Sequence, residues 1–256
     1  MKKTFNIIAS ICLVCSIATG CMKDDNYAAP NAAVNGTIID SVTGQGLSSE
    51  PNGERMYVLQ TSYTAGTPIP FYWNIQPSGV YANSEVFSAT YKMYPTDGPF
   101  VPVVYTNTAG ALVDNGSKIV NVAAAQTVTT NWTVVPFLEV SWVGTPVLNS
   151  NGTVTVSCKV VRGTTNPLWQ FALTDVFFYI SNTNFVSNAS FDNTLSNDIT
   201  TYNGLSGNAL LGQTITITSK VALGTSQGYY LRVGARTADN VNKRYNYTSV
   251  LLLNVP

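Results

Sequence analysis

The 256-residue sequence contains no histidine. Histidine is the commonest general base, the partner of the nucleophile in Ser-His and Cys-His enzymes, and the commonest zinc ligand. Its absence excludes those nucleophilic enzymes and removes the main zinc ligand, and we expect a protein without catalytic residues, cofactor or metal. Charged residues are also scarce, at 10% of the chain. So few charges leave no electrostatic footprint for nucleic acid.

The N-terminus has the layout of a cleavable export signal. Two lysines at positions 2 and 3 precede an apolar run at 7–18, and small residues at 18–20 stand before Cys21. This run is too short to span a bilayer comfortably. A cysteine directly after the small residues distinguishes a lipoprotein signal, because its thiol takes the lipid. We predict a lipoprotein signal peptide over 1–20 and lipid attachment at Cys21; an ordinary secretory signal is the alternative.

Cysteine usage allows no disulfide framework. Two of the four cysteines lie in the leader, which leaves Cys21 and Cys158. With Cys21 acylated, Cys158 has no partner. It lies on the apolar face of an alternating segment, which predicts a small core residue. Removing the two leader lysines from 13 basic residues leaves 11 against 13 acidic ones. A nearly neutral surface rich in Thr, Asn and Ser suits neutral, hydroxyl-bearing partners.

Strand signals dominate the rest of the chain. After a polar tether at 21–32, no window shows a helical apolar period, and short β-branched or aromatic runs alternate with Gly, Pro and Asn turns. Regular punctuation of this kind is typical of a β-sandwich. Pro136 is the best boundary, since a second series of strands follows it. We predict an all-β protein of two β-sandwich domains, at 33–136 and 137–256.

Two features of the second half carry more specific predictions. In 229–236, Tyr229, Leu231 and Val233 point one way and Arg232 the other, which predicts one buried and one solvated face. Residues 182–213 are polar and rich in turn-formers, and are expected to hold a large loop or a short irregular element.

The opening of the first domain resembles carboxypeptidase-regulatory-like domains, which are transthyretin-like (prealbumin-like) sandwiches. The segment 34–47, Val-Asn-Gly-Thr-Ile-Ile-Asp-Ser-Val-Thr-Gly-Gln-Gly-Leu, matches their Gly-x-Val-x-Asp-x-x-Thr-Gly-x-Pro-Leu opening, with Gly46 replacing the proline. The stretch from Gly79 to Met93 resembles a later signature of the same domains and departs from it at Ala89 and Thr90. Asp40 to Gly44 is predicted to form a tight turn, and Tyr91 to point into the core.

The whole chain is similar to a family of Bacteroidota outer-surface lipoproteins of unknown function. The C-terminal resemblance rests on 229–237 and 244–248, and implies an immunoglobulin- or fibronectin-III-like second domain. Relatives often accompany outer-membrane glycan-import systems, which implies carbohydrate handling at the cell surface. The segment 22–25, Met-Lys-Asp-Asp, also resembles the export signal of Bacteroidota surface lipoproteins, which implies an outer-membrane protein facing the exterior. A solvated linker is the alternative.

Aromatic residues in polar loops are the candidate ligand contacts, because sugar rings stack their C–H faces on indole and phenol rings. Trp73, Trp169 and Tyr202 meet this criterion, and packing in a core or rim is the alternative for each. Trp132 and Trp142 fall within strands and are expected in the core.

Charged and amide groups give weaker signals. A calcium ion near Asp192–Asp198 stays open, because that stretch supplies several oxygen ligands without the spacing of an EF-hand. Arg232 and Arg236 either form a small anion site or pair with acidic neighbours across strands. A glycosidase needs two carboxyls about 5–10 Å apart. The carboxylates available for such a pair include Glu50, Glu54, Glu85, Glu139 and Asp175.

Three functions follow as hypotheses. The first is a non-catalytic, carbohydrate-binding accessory lipoprotein of an outer-membrane glycan-acquisition system, with a polysaccharide or oligosaccharide and an outer-membrane transport complex as partners. The second is a structural or assembly subunit of an outer-membrane complex with no glycan contact. The third is a carboxylate hydrolase, which no motif supports.

Overall fold

The computed structural model describes residues 29–64, 66–106 and 109–256. The signal peptide, Cys21 and most of the tether lie outside the described residues. Asn31–Pro256 forms one compact unit. In the described part of the chain, no helix is long and apolar enough to cross a membrane.

Among the described residues, the N-terminal half has ten strands, most of which pack around one core. The strands are β1 (Ala32–Asp40), β2 (Arg55–Gln60), β3 (Phe71–Asn74), β4 (Val80–Val86), β5 (Ala89–Thr96), β6 (Val104–Thr106), β7 (Leu112–Asn115), β8 (Lys118–Val122), β9 (Thr127–Thr129) and β10 (Trp132–Val134). Strand β1 pairs antiparallel with β4 and parallel with β9 and β10, while β3-β2-β5-β8 forms an antiparallel sheet. Strands β6 and β7 form a separate hairpin.

The N-terminal core follows from the period of two along its strands. Burial alternates along the whole of β1, which places Val34 and Ile38 in the core. Met56 and Met93 from the opposite sheet complete the same cluster. Tyr91 and Trp132 are buried there at 2% and 3% exposure, as predicted. The tight turn after β1 is also confirmed, since Asp40 Oδ1 accepts a hydrogen bond from Val42 N at 2.7 Å.

A break at Thr130 divides what reads as one strand over 127–135 into β9 and β10. Both strands lie parallel to β1, where a Cβ on Gly36 would stand 1.8 Å from the Thr130 carbonyl oxygen. Only glycine permits this approach of two backbones. Asn131 Oδ1 then accepts from Thr37 N at 2.8 Å.

In the described part of the chain, the C-terminal half adds eleven strands and two short 3-10 helices. The elements are β11 (Leu138–Trp142), β12 (Val147–Leu148), β13 (Val154–Arg162), η1 (Pro167–Trp169), β14 (Leu173–Ser181), β15 (Asn197–Ile199), β16 (Thr201–Tyr202), β17 (Leu205–Ser206), η2 (Gly207–Leu210), β18 (Thr214–Thr218), β19 (Gln227–Thr237), β20 (Tyr245–Tyr247) and β21 (Leu251–Val255). One large sheet joins β11, β12 and β18 to β13, and a second large sheet joins β15, β14, β19, β20 and β21. Strands β16 and β17 pair with each other in a separate hairpin. The segment 182–213 therefore contains short strands and η2 beside its loop.

The two C-terminal sheets enclose a second core. Val156, Cys158 and Val160 of one sheet meet Phe178 and Val233 of the other. Cys158 is fully buried, as predicted, and burial raises the pKa of its thiol to about 12. The prediction of an all-β protein made of two sandwiches is confirmed. The boundary at residue 136 stays a prediction, although Val134 ends one core and Phe137 begins the other.

The prediction of a solvated face on β19 is wrong at Arg232. Its side chain is 2% exposed, because residues 48–50 of the N-terminal half pack over it. The alternation of apolar and polar residues along one strand cannot show that a second domain covers the outer face of that strand. Arg236 stays partly exposed and pairs with Asp175 across the strands at 3.1 Å.

Candidate functional site

A polar cleft of about 540 Å³ opens at one end of the C-terminal sandwich. It lies among the end of β14, the loop 182–196 that joins β14 to β15, and the start of β19. Its lining consists of Ser181, Asn182, Thr183, Ser190, Phe191, Asp192, Asn193, Leu195, Gln227 and Tyr229.

The chemistry of this polar cleft suits a neutral, hydroxyl-bearing ligand. Hydroxyl and amide side chains dominate the lining, Asp192 is its one carboxylate, and none of these lining residues is cationic. Phe191 and Tyr229 add aromatic surface to the polar groups. Small-molecule sites are usually lined mainly by apolar side chains with a few polar groups, so this lining is more polar than usual.

Backbone hydrogen bonds hold Asp192 in place within the loop 182–196. Asp192 N donates to the Ile180 carbonyl at 2.8 Å, which ties the loop back to β14. Asp192 Oδ1 accepts from the Thr194 hydroxyl at 2.6 Å and from Thr194 N at 2.8 Å. These two bonds lower the pKa of Asp192. The exposed side chain therefore presents an ionised carboxylate to a ligand at neutral pH.

Aromatic contacts orient Phe191 from below. Its ring meets Phe177 at 5.4 Å and Tyr179 at 5.3 Å, both edge-to-face. Phe177 and Tyr179 are themselves stacked at 4.3 Å on the outer face of β14. Edge-to-face pairs of this kind stabilise the fold slightly more than the burial of their apolar area alone would. Phe191 is therefore fixed and only half-buried.

The structure does not bring the three predicted aromatic residues together. Trp73 lies half-buried on β3 against the N-terminal core, whereas Trp169 and Tyr202 pack against the C-terminal core. None of the three lines the polar cleft. Their ligand-binding role stays a prediction.

Trp169 has a visible packing role. It is 8% exposed and meets Tyr105 of the β6-β7 hairpin at 5.1 Å and Phe137 at 6.4 Å. The ring therefore fastens a hairpin of the N-terminal half to the C-terminal core, with little surface left for a ligand.

The acidic stretch Asp192–Asp198 does not gather a calcium site around its carboxylates. Asp192 is engaged with Thr194, and Asp198 is exposed on β15. Asn197 donates to the Thr218 carbonyl at 3.0 Å. Among the described residues, no group of three or more His, Cys, Asp or Glu side chains is placed to hold a metal ion.

The other candidate carboxylates lie apart from the polar cleft. Glu85 is exposed on β4, while Asp175 accepts hydrogen bonds from Arg236 and from the Tyr245 hydroxyl. Glu139 lies in a second cleft of about 270 Å³ with Asp40. Burial, with the neighbouring Asp40, raises the pKa of Glu139 to about 8.

Glu54 is fully buried near the place where the two halves meet. Neither of its carboxyl oxygens has a hydrogen-bond partner of normal geometry among the described residues. Burial raises its pKa to about 8, although the nearby Ser49 hydroxyl and Arg232 favour the ionised form. Because burial dominates, Glu54 is largely protonated at neutral pH.

The contacts of residues 48–50 with the C-terminal sandwich form what we call the junction. Arg232 donates to the Ser49 carbonyl at 2.7 Å and to the Ser48 hydroxyl at 2.5 Å. Glu50 accepts from Arg244 and from the Tyr247 hydroxyl, both at 2.7 Å. Burial lowers the pKa of Arg232 to about 10, which still leaves the guanidinium charged at neutral pH.

Sequence reasoning considered Asp192 and Asn193 only as calcium ligands and missed the aromatic residues of the polar cleft, although one signal was present. Phe191 stands between Ser190 and Asp192 in a polar loop, which is the criterion that selected Tyr202. Tyr229 and Gln227 had no such signal, because they belong to an alternating strand. Their approach to the loop depends on the pairing of β14 with β19.

Two family models match most of the described chain. The model described as "Protein of unknown function (DUF3823) N-terminal domain" matches residues 32–131. The model described as "Domain of unknown function (DUF3823_C)" matches residues 144–251. The chain belongs to the DUF3823 family. The expected resemblance to a family of unknown function is therefore confirmed.

Solved structures show the same fold as this DUF3823 protein. A DUF3823 family protein from Bacteroides uniformis ATCC 8492 is 24% identical, with a TM-score of 0.77 over 89% of this chain and 100% of that one. A DUF3823 family protein from Parabacteroides merdae ATCC 43184 is 18% identical, with a TM-score of 0.62 over 89% of this chain and 100% of that one.

Another solved structure from Bacteroides uniformis ATCC 8492 is named as a putative carbohydrate binding protein. It is 21% identical, with a TM-score of 0.64 over 88% of this chain and 100% of that one. A search of the curated proteins found no match.

Proposed function

We propose that this DUF3823 protein is a lipoprotein of the outer membrane, exposed to the exterior, that binds neutral glycans at the polar cleft without converting them. It serves as an accessory component of a glycan-acquisition system. The lipid on Cys21 holds the two sandwiches at the membrane, and the cleft contacts the sugar.

The composition of the polar cleft is the observation that carries this proposal. Sugar hydroxyls pair well with amides, hydroxyls and one ionised carboxylate, and Phe191 offers an aromatic edge beside them. The absence of a cation among the lining residues disfavours an anionic ligand. The Bacteroides uniformis structure named for carbohydrate binding shares the fold and motivates the choice of ligand.

The presence of one carboxylate in the lining of the polar cleft agrees with a non-catalytic role. A glycosidase needs two carboxyl groups on either side of the scissile bond. Asp192 is the one carboxylate that lines the cleft. The cleft can therefore orient a sugar through its hydroxyls, but it lacks the second group that hydrolysis requires.

Calorimetry of residues 22–256 against neutral polysaccharides tests the proposal. We expect Asp192→Asn to weaken binding about fivefold to tenfold, because a charged acceptor becomes a neutral one of the same shape. Phe191→Ala is expected to weaken it further. Phe185→Ala is the matched control, since Phe185 belongs to the same loop, is 56% exposed and does not line the cleft. Glycan binding that both cleft variants leave intact would overturn the proposal.

The alternative, a structural subunit of an outer-membrane complex, is favoured by exposed apolar surface on the N-terminal sandwich. Tyr63, Ile69 and Phe71 are 45%, 81% and 41% exposed around a groove of about 260 Å³. Exposed apolar patches commonly mark protein contacts. Stoichiometric co-purification with a porin-like protein in the absence of glycan, lost in Ile69→Asp, would select this alternative.

A further inference from the structure

The loop 182–196 contributes to both the polar cleft and the junction. Its outer part, at Ser190 to Asn193, lines the polar cleft. Its inner part reaches the junction, where the Val186 carbonyl accepts from Arg232 at 3.3 Å and Asn188 N donates to the Tyr247 hydroxyl at 3.1 Å. Only a few residues separate the two parts.

A tight turn joins the inner part of the loop to the outer part. Ser187 and Ser190 exchange two backbone hydrogen bonds of 3.0 Å each, which closes the turn around Asn188. The Tyr179 hydroxyl also donates to Asn188 Oδ1 at 3.4 Å. A displacement of Asn188 is therefore passed to Ser190 and to the neighbouring Phe191.

The aromatic cluster beneath the loop provides a second connection. Tyr179 meets Phe191 at 5.3 Å on one side and Tyr247 at 5.9 Å on the other. Tyr247 is 5% exposed and lies under the Arg232 guanidinium, 4.1 Å from it. Closely packed side chains have little room to move independently.

The N-terminal sandwich contacts Tyr247 through Glu50. Glu50, which is 2% exposed, accepts the Tyr247 hydroxyl proton in a hydrogen bond of 2.7 Å and pairs with Arg244. The phenol is thus oriented to accept from Asn188. We propose that Glu50 and Tyr247 are positioning residues through which the N-terminal sandwich holds the loop 182–196 in its binding conformation. The inference rests on the proposed function only for its effect on glycan affinity.

Tyr247→Phe tests this inference directly. The variant keeps the ring beneath Arg232 and removes only the hydroxyl that Asn188 and Glu50 share. By hydrogen exchange of residues 22–256, we expect the amides of residues 188–193 to lose protection about tenfold, because the turn loses its anchor. Glu50→Ala is expected to have the same effect from the other domain.

Tyr245→Phe is the matched control. Tyr245 lies two residues away on the same strand, packs against Tyr179 at 5.7 Å, and donates its hydroxyl to Asp175 instead of the loop. Its removal is expected to leave residues 188–193 protected. If Tyr247 only stabilised the fold, Tyr247→Phe and Tyr245→Phe would both lower hydrogen-exchange protection, and they would do so throughout the C-terminal sandwich.

Glycan affinity provides the second readout. Tyr247→Phe is expected to weaken binding about threefold to tenfold, and Tyr245→Phe to leave it unchanged. Unaltered protection of residues 188–193 in Tyr247→Phe and Glu50→Ala would overturn the inference. If wild-type protein binds no glycan, the proposed function fails, and the exchange result alone decides whether the junction holds the loop.

Discussion

Glu54 is fully buried, and its carboxyl has no hydrogen-bond partner of normal geometry within the described part of the chain. An acid whose pKa is raised by folding binds a proton more tightly in the folded state, so its contribution to stability falls as pH rises from its unfolded to its folded pKa. For Glu54 that window runs from 4.5 to about 8.

We expect the free energy of unfolding to fall by on the order of 3 kcal/mol between pH 4.5 and pH 7 because of Glu54. Glu54→Gln, which cannot ionise, should remove the part of this slope that Glu54 contributes. Glu139, whose pKa is also raised to about 8, adds a slope of the same sign, which its partial exposure to solvent reduces. Urea unfolding at several pH values measures the effect. Glu85→Gln, on an exposed side chain, is the control, and an unchanged slope in Glu54→Gln would contradict the assignment.

Arg232 makes a larger contribution to stability than an exposed arginine does. Its guanidinium donates to the Ser49 carbonyl across the junction and to the Thr248 carbonyl within its own sandwich. Its removal leaves the buried Ser49 carbonyl without this donor. We expect Arg232→Met to lower the free energy of unfolding by about 3 kcal/mol, since breaking a buried charged network is costly.

The control for that variant is Arg55→Met. Arg55 forms its ion pair with Asp97 at a site where its side chain is 44% exposed. Exposed pairs contribute no more than about 1 kcal/mol. Equal losses in the two variants, measured by urea unfolding, would show that the junction is not a stabilising feature.

Among the elements, β1 is the most dependent on a single glycine. A Cβ at Gly36 would overlap the Thr130 carbonyl, whereas Gly44 has φ of +70° and nothing near its Cβ position. We expect Gly36→Ala to cost about 3 kcal/mol or more, because a backbone must move. Gly44→Ala should cost only about 1–2 kcal/mol, from the left-handed backbone alone. A smaller loss in Gly36→Ala than in Gly44→Ala would contradict this pairing of β1 with β9 and β10.

The elements also show what the sequence could predict. Alternation around Cys158 identified a core face, because the buried partners lie within the same sandwich. The same reasoning was wrong at Arg232, whose cover comes from residues 48–50, far away in the chain. The polar cleft escaped prediction for a similar reason, since β19 and the loop 182–196 meet only through the fold.

At the scale of the whole molecule, the lipid on Cys21 remains a prediction about residues outside the described part. We expect mass spectrometry of the native protein to find a diacylglyceryl group on Cys21 and no residues before it. Cys21→Ser should leave the protein unlipidated and absent from the cell surface. An unacylated native N-terminus at the surface would contradict the anchor.

For the whole molecule, we propose that the polar cleft, held by the junction, binds a neutral glycan. Backbone amide shifts during titration with a neutral oligosaccharide test it most directly. We expect saturable shifts concentrated at residues 181–183, 190–193 and 227–229. Saturable shifts centred on Trp73, Trp169 or Tyr202, with residues 190–193 unmoved, would contradict it.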